Sequence, residues 1–136
     1  MEFFKAGSAI ILSGYPVGSP HLWFVLTDPD SESDQVVAVM VVTVRGHTDR
    51  TVTLSAGDHP FIRHDSSLDF GGTKRFQTAR LNAALRSGRC ELSENMTAAL
   101  LGKVRAGLLA SPRTPHHIID YCRDRFPKDF TPEGQA

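Results

Sequence analysis

Short apolar runs alternate along the chain with clusters of glycine, proline, aspartate and serine. That rhythm predicts strands joined by turns before it predicts helices. "AIIL" (Ala9 to Leu12) reads as a strand and is stopped by the turn-forming "SGYPVGSP". "HLWFVLT" (His21 to Thr27) reads as a second strand, ended by "DPDSESD" with Pro29 inside it. "VVAVMVVTV" (Val36 to Val44) is the most apolar segment, and its valines disfavour a helix because β-branched side chains lose rotamer freedom there. It is expected to be the central strand, covered on both faces. "RTVTL" (Arg50 to Leu54) alternates and is expected to return beside it as a hairpin through "RGHTD".

Beyond Gly71 and Gly72 the period changes. "KRFQTARLNAAL" fits a strand followed by a short turn of helix, without periodicity deciding which. In "ELSENMTAALLGKVRAGLLAS", Met96, Leu100, Val104 and Leu108 recur on one helical face and Ser93 is a candidate cap, so an amphipathic helix docked on the sheet is predicted. "SPRTPHHIIDYCRDRF" predicts a last helix with Thr114 as cap and Pro115 at its first position, ending at Pro127. The expected fold is mainly β with helical cover: a compact, strongly curved sheet or small barrel in a single domain over residues 1–126, with 127–136 as a loose tail.

At 136 residues there is room for one core, and 40% hydrophobic with 22% charged residues is an ordinary globular balance. The longest apolar runs are too short to cross a bilayer as a helix and no secretory leader opens the chain, so a cytoplasmic protein without membrane association is expected. Cys90 and Cys122 lack metal-ligand or redox spacing and are expected as buried thiols. Net charge is zero but uneven: residues 1–70 carry four basic against nine acidic side chains, residues 71–136 eleven against six. The basic half offers phosphates a surface, unless folding intermixes the two halves.

No phosphate loop, dinucleotide fingerprint, HExxH, CxxC pair or GxSxG occurs, and no cofactor is implied. Histidine remains. "GDHPFIRHDSS" (Gly57 to Ser67) concentrates His59, His64, two aspartates and Arg63 on one connection, and His21 opens a strand. Two imidazoles can serve as base and acid in one turnover near neutral pH, which suits cleavage of an RNA phosphodiester. Thr43 is a neutral donor at a strand end, and Arg63, Arg75 and Arg80 are candidate cations to bind substrate and steady phosphorane charge. In the competing reading, Asp58 and His59 merely brace a Gly-Asp turn while Arg63 and His64 face water. A metal set of His59, His64 and Asp65 is weaker, because two histidines so spaced off a helix define no geometry. Trp23 and Phe24 offer a stacking surface for bases, although a Trp-Phe pair inside an apolar strand is more often packed in a core.

The order "GSAIIL", Gly/Pro loop, "HLWFVLT", "VVAVMVVTV", then "LSAGDHPFIRHDSSLDF" and "ARLNAALRSGRCELSENMTAALLGKVRAGLL", resembles the MazF/PemK-like toxins over about residues 6–110. The resemblance implies a small SH3-like β-barrel with a packed helix and a C-terminal helix, usually a homodimer. It also implies metal-independent cleavage of single-stranded RNA and neutralisation by an antitoxin protein. Thr43 fits the family's threonine at the end of the third strand, whereas the family's arginine position falls at or beside His21, and Ser8 stands where an acidic residue is usual. These departures leave either a barrel that has lost cleavage or a histidine-based variant with His21 paired to His59 or His64, since an arginine cannot act as a base at neutral pH and a histidine can. The alternative from a different class is a non-catalytic SH3-like module that binds protein or nucleic acid through the same groove.

Overall fold

The computed structural model describes residues 4–15 and 18–127. Its described elements are seven strands and three α-helices: β1 Ala9–Leu12, β2 His21–Val25, β3 Gln35–Thr43, β4 Thr53–Leu54, β5 Ser66–Leu68, β6 Lys74–Gln77, α1 Thr78–Arg86, β7 Cys90–Ser93, α2 Ala98–Ala110 and α3 His116–Arg125. A short 3-10 turn, Phe70–Gly72, joins β5 to β6. The strands form an open antiparallel sheet in the order β4-β5-β3-β2-β1-β7, with β6 also on β3. The mainly β architecture with helical cover is therefore present. Most of the expected tail, residues 128–136, lies outside the described residues.

The long strand β3 organises the sheet. One edge pairs with β2 through Trp23–Met40, Phe24–Val39 and Val25–Ala38. The other is shared end to end: Gln35–Ala38 bonds to β6 and Val41–Thr43 to β5. The two-residue period of a strand divides its side chains between two cores. Leu22, Phe24, Val37 and Val39 pack with Leu100, Val104 and Leu108 of α2 and Ile118 and Cys122 of α3. Trp23, Val25, Val36 and Ala38 pack on the opposite face with Leu81 of α1 and Cys90. The expected coverage of both faces holds for residues 36–39, while Met40–Thr43 are only half-buried.

Three local expectations are corrected. The hairpin between β3 and "RTVTL" does not form: β4 pairs with β5, and β5 lies against β3. The intervening chain is drawn out of the sheet where the Arg45 amide donates to Thr48 Oγ1 (2.7 Å) and Asp49 Oδ1 accepts from the Thr51 amide (2.9 Å). Ser93 does not cap α2, because it ends β7 opposite Ala9; Thr97 is the cap, its hydroxyl accepting from the Leu100 amide at 3.1 Å. Thr114 caps nothing, since its hydroxyl donates to the Leu108 carbonyl at 2.7 Å. The stripe Met96, Leu100, Val104 and Leu108 is buried as expected, and both cysteines are free and buried. Among the described residues no helix is long and apolar enough to cross a membrane.

Candidate functional site

Pairing between β2 and β3 stops at Trp23–Met40, yet β2 runs on to His21 and β3 to Thr43. Where the strands part, a cleft of about 720 Å³ opens, bordered by His21, Leu22 and Val41 to Thr43. The loop after β3 (Arg45 to Asp49), the segment Phe61 to His64, and Arg113 from the α2–α3 link complete its walls.

Strand register delivers the first chemical pair. Thr43 lies opposite Ser66 at the start of β5, so the residues preceding β5 are carried to the end of β3. The Ser66 hydroxyl donates to the His64 carbonyl (2.8 Å) and the Val44 amide to the Asp65 carbonyl (3.2 Å), fixing that approach. His64 Nε2 then lies 3.0 Å from Thr43 Oγ1. A hydroxyl both donates and accepts. In the tautomer protonated on Nε2, neutral His64 donates to the threonine oxygen and keeps the Nδ1 lone pair free for a proton, and the same contact serves the imidazolium. His21 also borders the cleft, and its Nε2 is out of reach of water with no hydrogen-bond partner among the described residues. Such an orphan is costly, about 1–3 kcal/mol, and calls for a partner.

A buried carboxylate also borders the cleft. Asp49 is 7% exposed and accepts from Ser111 Oγ (2.5 Å), Thr51 Oγ1 (2.7 Å) and the Thr51 amide (2.9 Å). Burial pushes its carboxyl up, but these hydrogen bonds and the Arg113 charge outweigh burial and hold it below the usual carboxylate range. Ser67 Oγ donates to the Asp49 and Val52 carbonyls and anchors the same loop to β5. The Asp49–Ser111 bond ties the α2–α3 link to the loop after β3. Arg113 follows from it: its amide donates to Ser111 Oγ (3.1 Å) and its guanidinium to the His47 carbonyl (2.7 Å). Arg125 with Asp30 is the one ion pair among the described residues, so Arg45, Arg63 and Arg113 border the cleft with no carboxylate in direct contact. Against these three cations stand Asp49, already engaged, and Asp69.

Of the candidates read from sequence, the fold brings His21, Thr43, Arg63 and His64 to this cleft. It does not bring His59. That ring is 2% exposed and packs edge-on against Phe24 at 5.6 Å; Nε2–H donates to the Glu94 carbonyl (2.6 Å) and Nδ1 accepts from the Phe61 amide (3.1 Å). A carbonyl only accepts and an amide only donates, so the ring is fixed as the Nε2–H tautomer with no nitrogen left for a substrate. Asp58 braces the adjoining turn, accepting from the Ser55 amide at 2.8 Å. The turn-bracing reading thus describes Asp58 and His59, and Arg63 and His64 are exposed to water as it expected, at the border of the cleft. Arg75 stacks on Tyr121 at 4.0 Å and Arg80 is exposed on α1; neither borders the cleft. Trp23 and Phe24 are buried, Trp23 edge-on to Phe76 at 5.2 Å.

Arg45, His47, Phe61 and Arg113 also border the cleft without having been picked out as site residues from sequence. Arg113 carries no local signal, since the bonds that place it, Ser111 to Asp49 and Arg113 to the His47 carbonyl, span 62 and 66 positions. Phe61 carried one: an aromatic residue inside the polar connection whose two histidines drew notice. Among the described residues no group of three His, Cys, Asp or Glu is arranged to hold a metal ion, the set His59, His64 and Asp65 included. Comparison of the chain with protein-family models, with curated proteins and with solved structures yields no match.

Proposed function

We propose that this protein is a metal-independent endoribonuclease that cleaves single-stranded RNA in the cleft between β2 and β3. The observation that carries the proposal is the His64–Thr43 contact at 3.0 Å in a cleft that His21 also borders, together with three arginines that have no carboxylate in direct contact. Neutral His64 takes the proton of the ribose 2′-hydroxyl. The 2′-oxygen attacks phosphorus, the bond from phosphorus to the 5′-oxygen breaks, and protonated His21 supplies the proton that the leaving oxygen needs. The products are a 2′,3′-cyclic phosphate and a 5′-hydroxyl. Arg63, Arg45 and Arg113 balance the charge that builds on the phosphoryl oxygens, and Thr43 holds His64 in line. That His21 borders the same cleft as His64 and Thr43 supports its role as the acid.

The same proposal takes the chain as a MazF/PemK-like toxin of a toxin–antitoxin system, with a cytoplasmic homodimer and an antitoxin partner. The small SH3-like barrel that this family would have is part of the proposal; what supports it is the coarser architecture, a mainly β antiparallel sheet with helical cover. Catalysis would then rest on His21 and His64, with Thr43 in the family's threonine position.

The test is end-labelled single-stranded RNA incubated with the purified protein in excess chelator. Cleavage leaving cyclic phosphate ends is expected, and His64→Ala and His21→Ala should each slow it by about 10²–10⁴-fold. RNA that stays intact but bound would make the protein a non-catalytic binding module. Cleavage that chelator abolishes, or that both variants retain, would refute the proposed acid and base.

A further inference from the structure

Three large hydrophobic side chains are substantially exposed among the described residues: Tyr15, Phe61 and Leu92. Tyr15 leans on Trp23 and Phe76 (ring centroids 5.8 and 5.6 Å), and Leu92 lies on the outer strand β7. Phe61, 42% exposed, borders the cleft, and among the described residues no aromatic ring or guanidinium stacks on it.

Slack in the chain does not explain this exposure. The Phe61 amide is held by His59 Nδ1 (3.1 Å), the Ile62 amide by the His59 carbonyl (2.9 Å), and Pro60 fixes its own φ between them. His59 and Ile62 are 2% and 4% exposed, so the backbone is anchored on both sides of an aromatic ring left in the open. Arg63 and His64 follow immediately on the same wall. Three residues of chain span at most roughly 10 Å, so an aromatic face, a cation and the general base fall within reach of one nucleotide.

Resting on the cleavage reading and deepening it, we propose that Phe61 is the platform on which a nucleobase beside the bound phosphate stacks. The ring thereby makes the site select unpaired over duplex RNA. Arginines attract any phosphate backbone, single or double. A π-face adds affinity only for a base whose own face is free, and a duplex hides its base faces between neighbours. Sequence preference from this contact is weak, because every base has a π-face. His59 is on this account a positioning residue, and its two fixed nitrogens set the angle at which Phe61 is presented.

The experiment measures binding of a short, uniformly 2′-O-methylated RNA, which cannot undergo 2′-hydroxyl attack, by fluorescence anisotropy. Phe61→Ala is expected to weaken binding of the single strand by about tenfold. Phe61→Trp should restore it, and Phe61→Leu, apolar but without a π-face, should not. The same RNA annealed to its complement should bind wild type and Phe61→Ala alike. One abasic position should weaken wild type by the factor lost in Phe61→Ala and leave that variant unchanged. Equal single-strand affinity of wild type and Phe61→Ala, or full rescue by leucine, overturns the stacking proposal and leaves cleavage standing, assigning the exposed ring to another contact such as a protein partner. Phe61-dependent binding of unmodified RNA that is never cut sinks the nuclease reading and leaves the platform standing.

Discussion

Two glycines on α2 predict opposite responses to the same substitution. At Gly102 an added Cβ meets nothing within 4 Å, whereas at Gly107 it collides with Val52 Cγ2 and lies 2.9 Å from Phe70 Cζ. Both positions are helical, so alanine gains about 1 kcal/mol of helix propensity at each. At Gly107 that gain is opposed by overpacking. Val52 is 4% exposed and Phe70 0%, one β-branched and the other an enclosed ring, so neither neighbour can swing aside. Forcing a methyl group into such a contact costs about 3 kcal/mol, the upper end for overpacked cores. Gly102→Ala should therefore stabilise by about 1 kcal/mol and Gly107→Ala destabilise by about 2 kcal/mol. With a denaturant slope of about 2 kcal/mol per molar, the urea midpoints should lie about 1.5 M apart at unchanged slope. Functional interest attaches to the contact because α2 ends at Ala110 and Ser111 grips Asp49, so a helix pushed off Val52 also moves Arg113. Coincident midpoints, or a higher one for Gly107→Ala, would refute the claim that α2 is seated by backbone approach at Gly107.

His59→Ala should cost about 2–3 kcal/mol by leaving the Glu94 carbonyl and the Phe61 amide without their partner, while cleavage by the folded variant falls at least tenfold less than in His64→Ala; a stable but dead His59→Ala would return His59 to the chemistry. Asp49 has a depressed carboxyl in the folded state, so its contribution is complete above about pH 4 and is lost as pH falls through the lower folded value. Wild type should accordingly exceed Asp49→Asn in stability by about 1–2 kcal/mol at pH 7, with the gap closing below about pH 4; a gap independent of pH would show that the charge contributes nothing. Burial pushes the thiols of Cys90 and Cys122 up to about 11 and about 12, so neither should react with a disulfide reagent at pH 8 until denaturant is added, when both should; native-state labelling would contradict their enclosure.

Patterning alone determined much of this molecule. The alternation in "HLWFVLT" and "VVAVMVVTV" assigns Leu22, Phe24, Val37 and Val39 to one core and Trp23, Val25, Val36 and Ala38 to the other, because successive strand side chains must point to opposite faces. The helical spacing of Met96, Leu100, Val104 and Leu108 assigned α2 its buried face in the same way. Local pattern also singled out a histidine-rich connection, but it could not say which imidazole would be free. His59 and His64 belong to one short motif, yet one is bonded to a carbonyl 35 positions away and the other to a hydroxyl 21 positions away. Those partners lie on different strands and loops, and only the register of β3 with β5 and the packing of Phe24 separate the two rings. The cleft is likewise invisible in either strand: it exists because β2 and β3 part beyond Trp23–Met40 while β5 holds the far edge of β3. Arg113 reaches it through a hydrogen bond between residues 62 positions apart. Periodicity reports the side of an element that avoids water; which elements then stand beside one another depends on long-range pairing, which no local window of sequence contains.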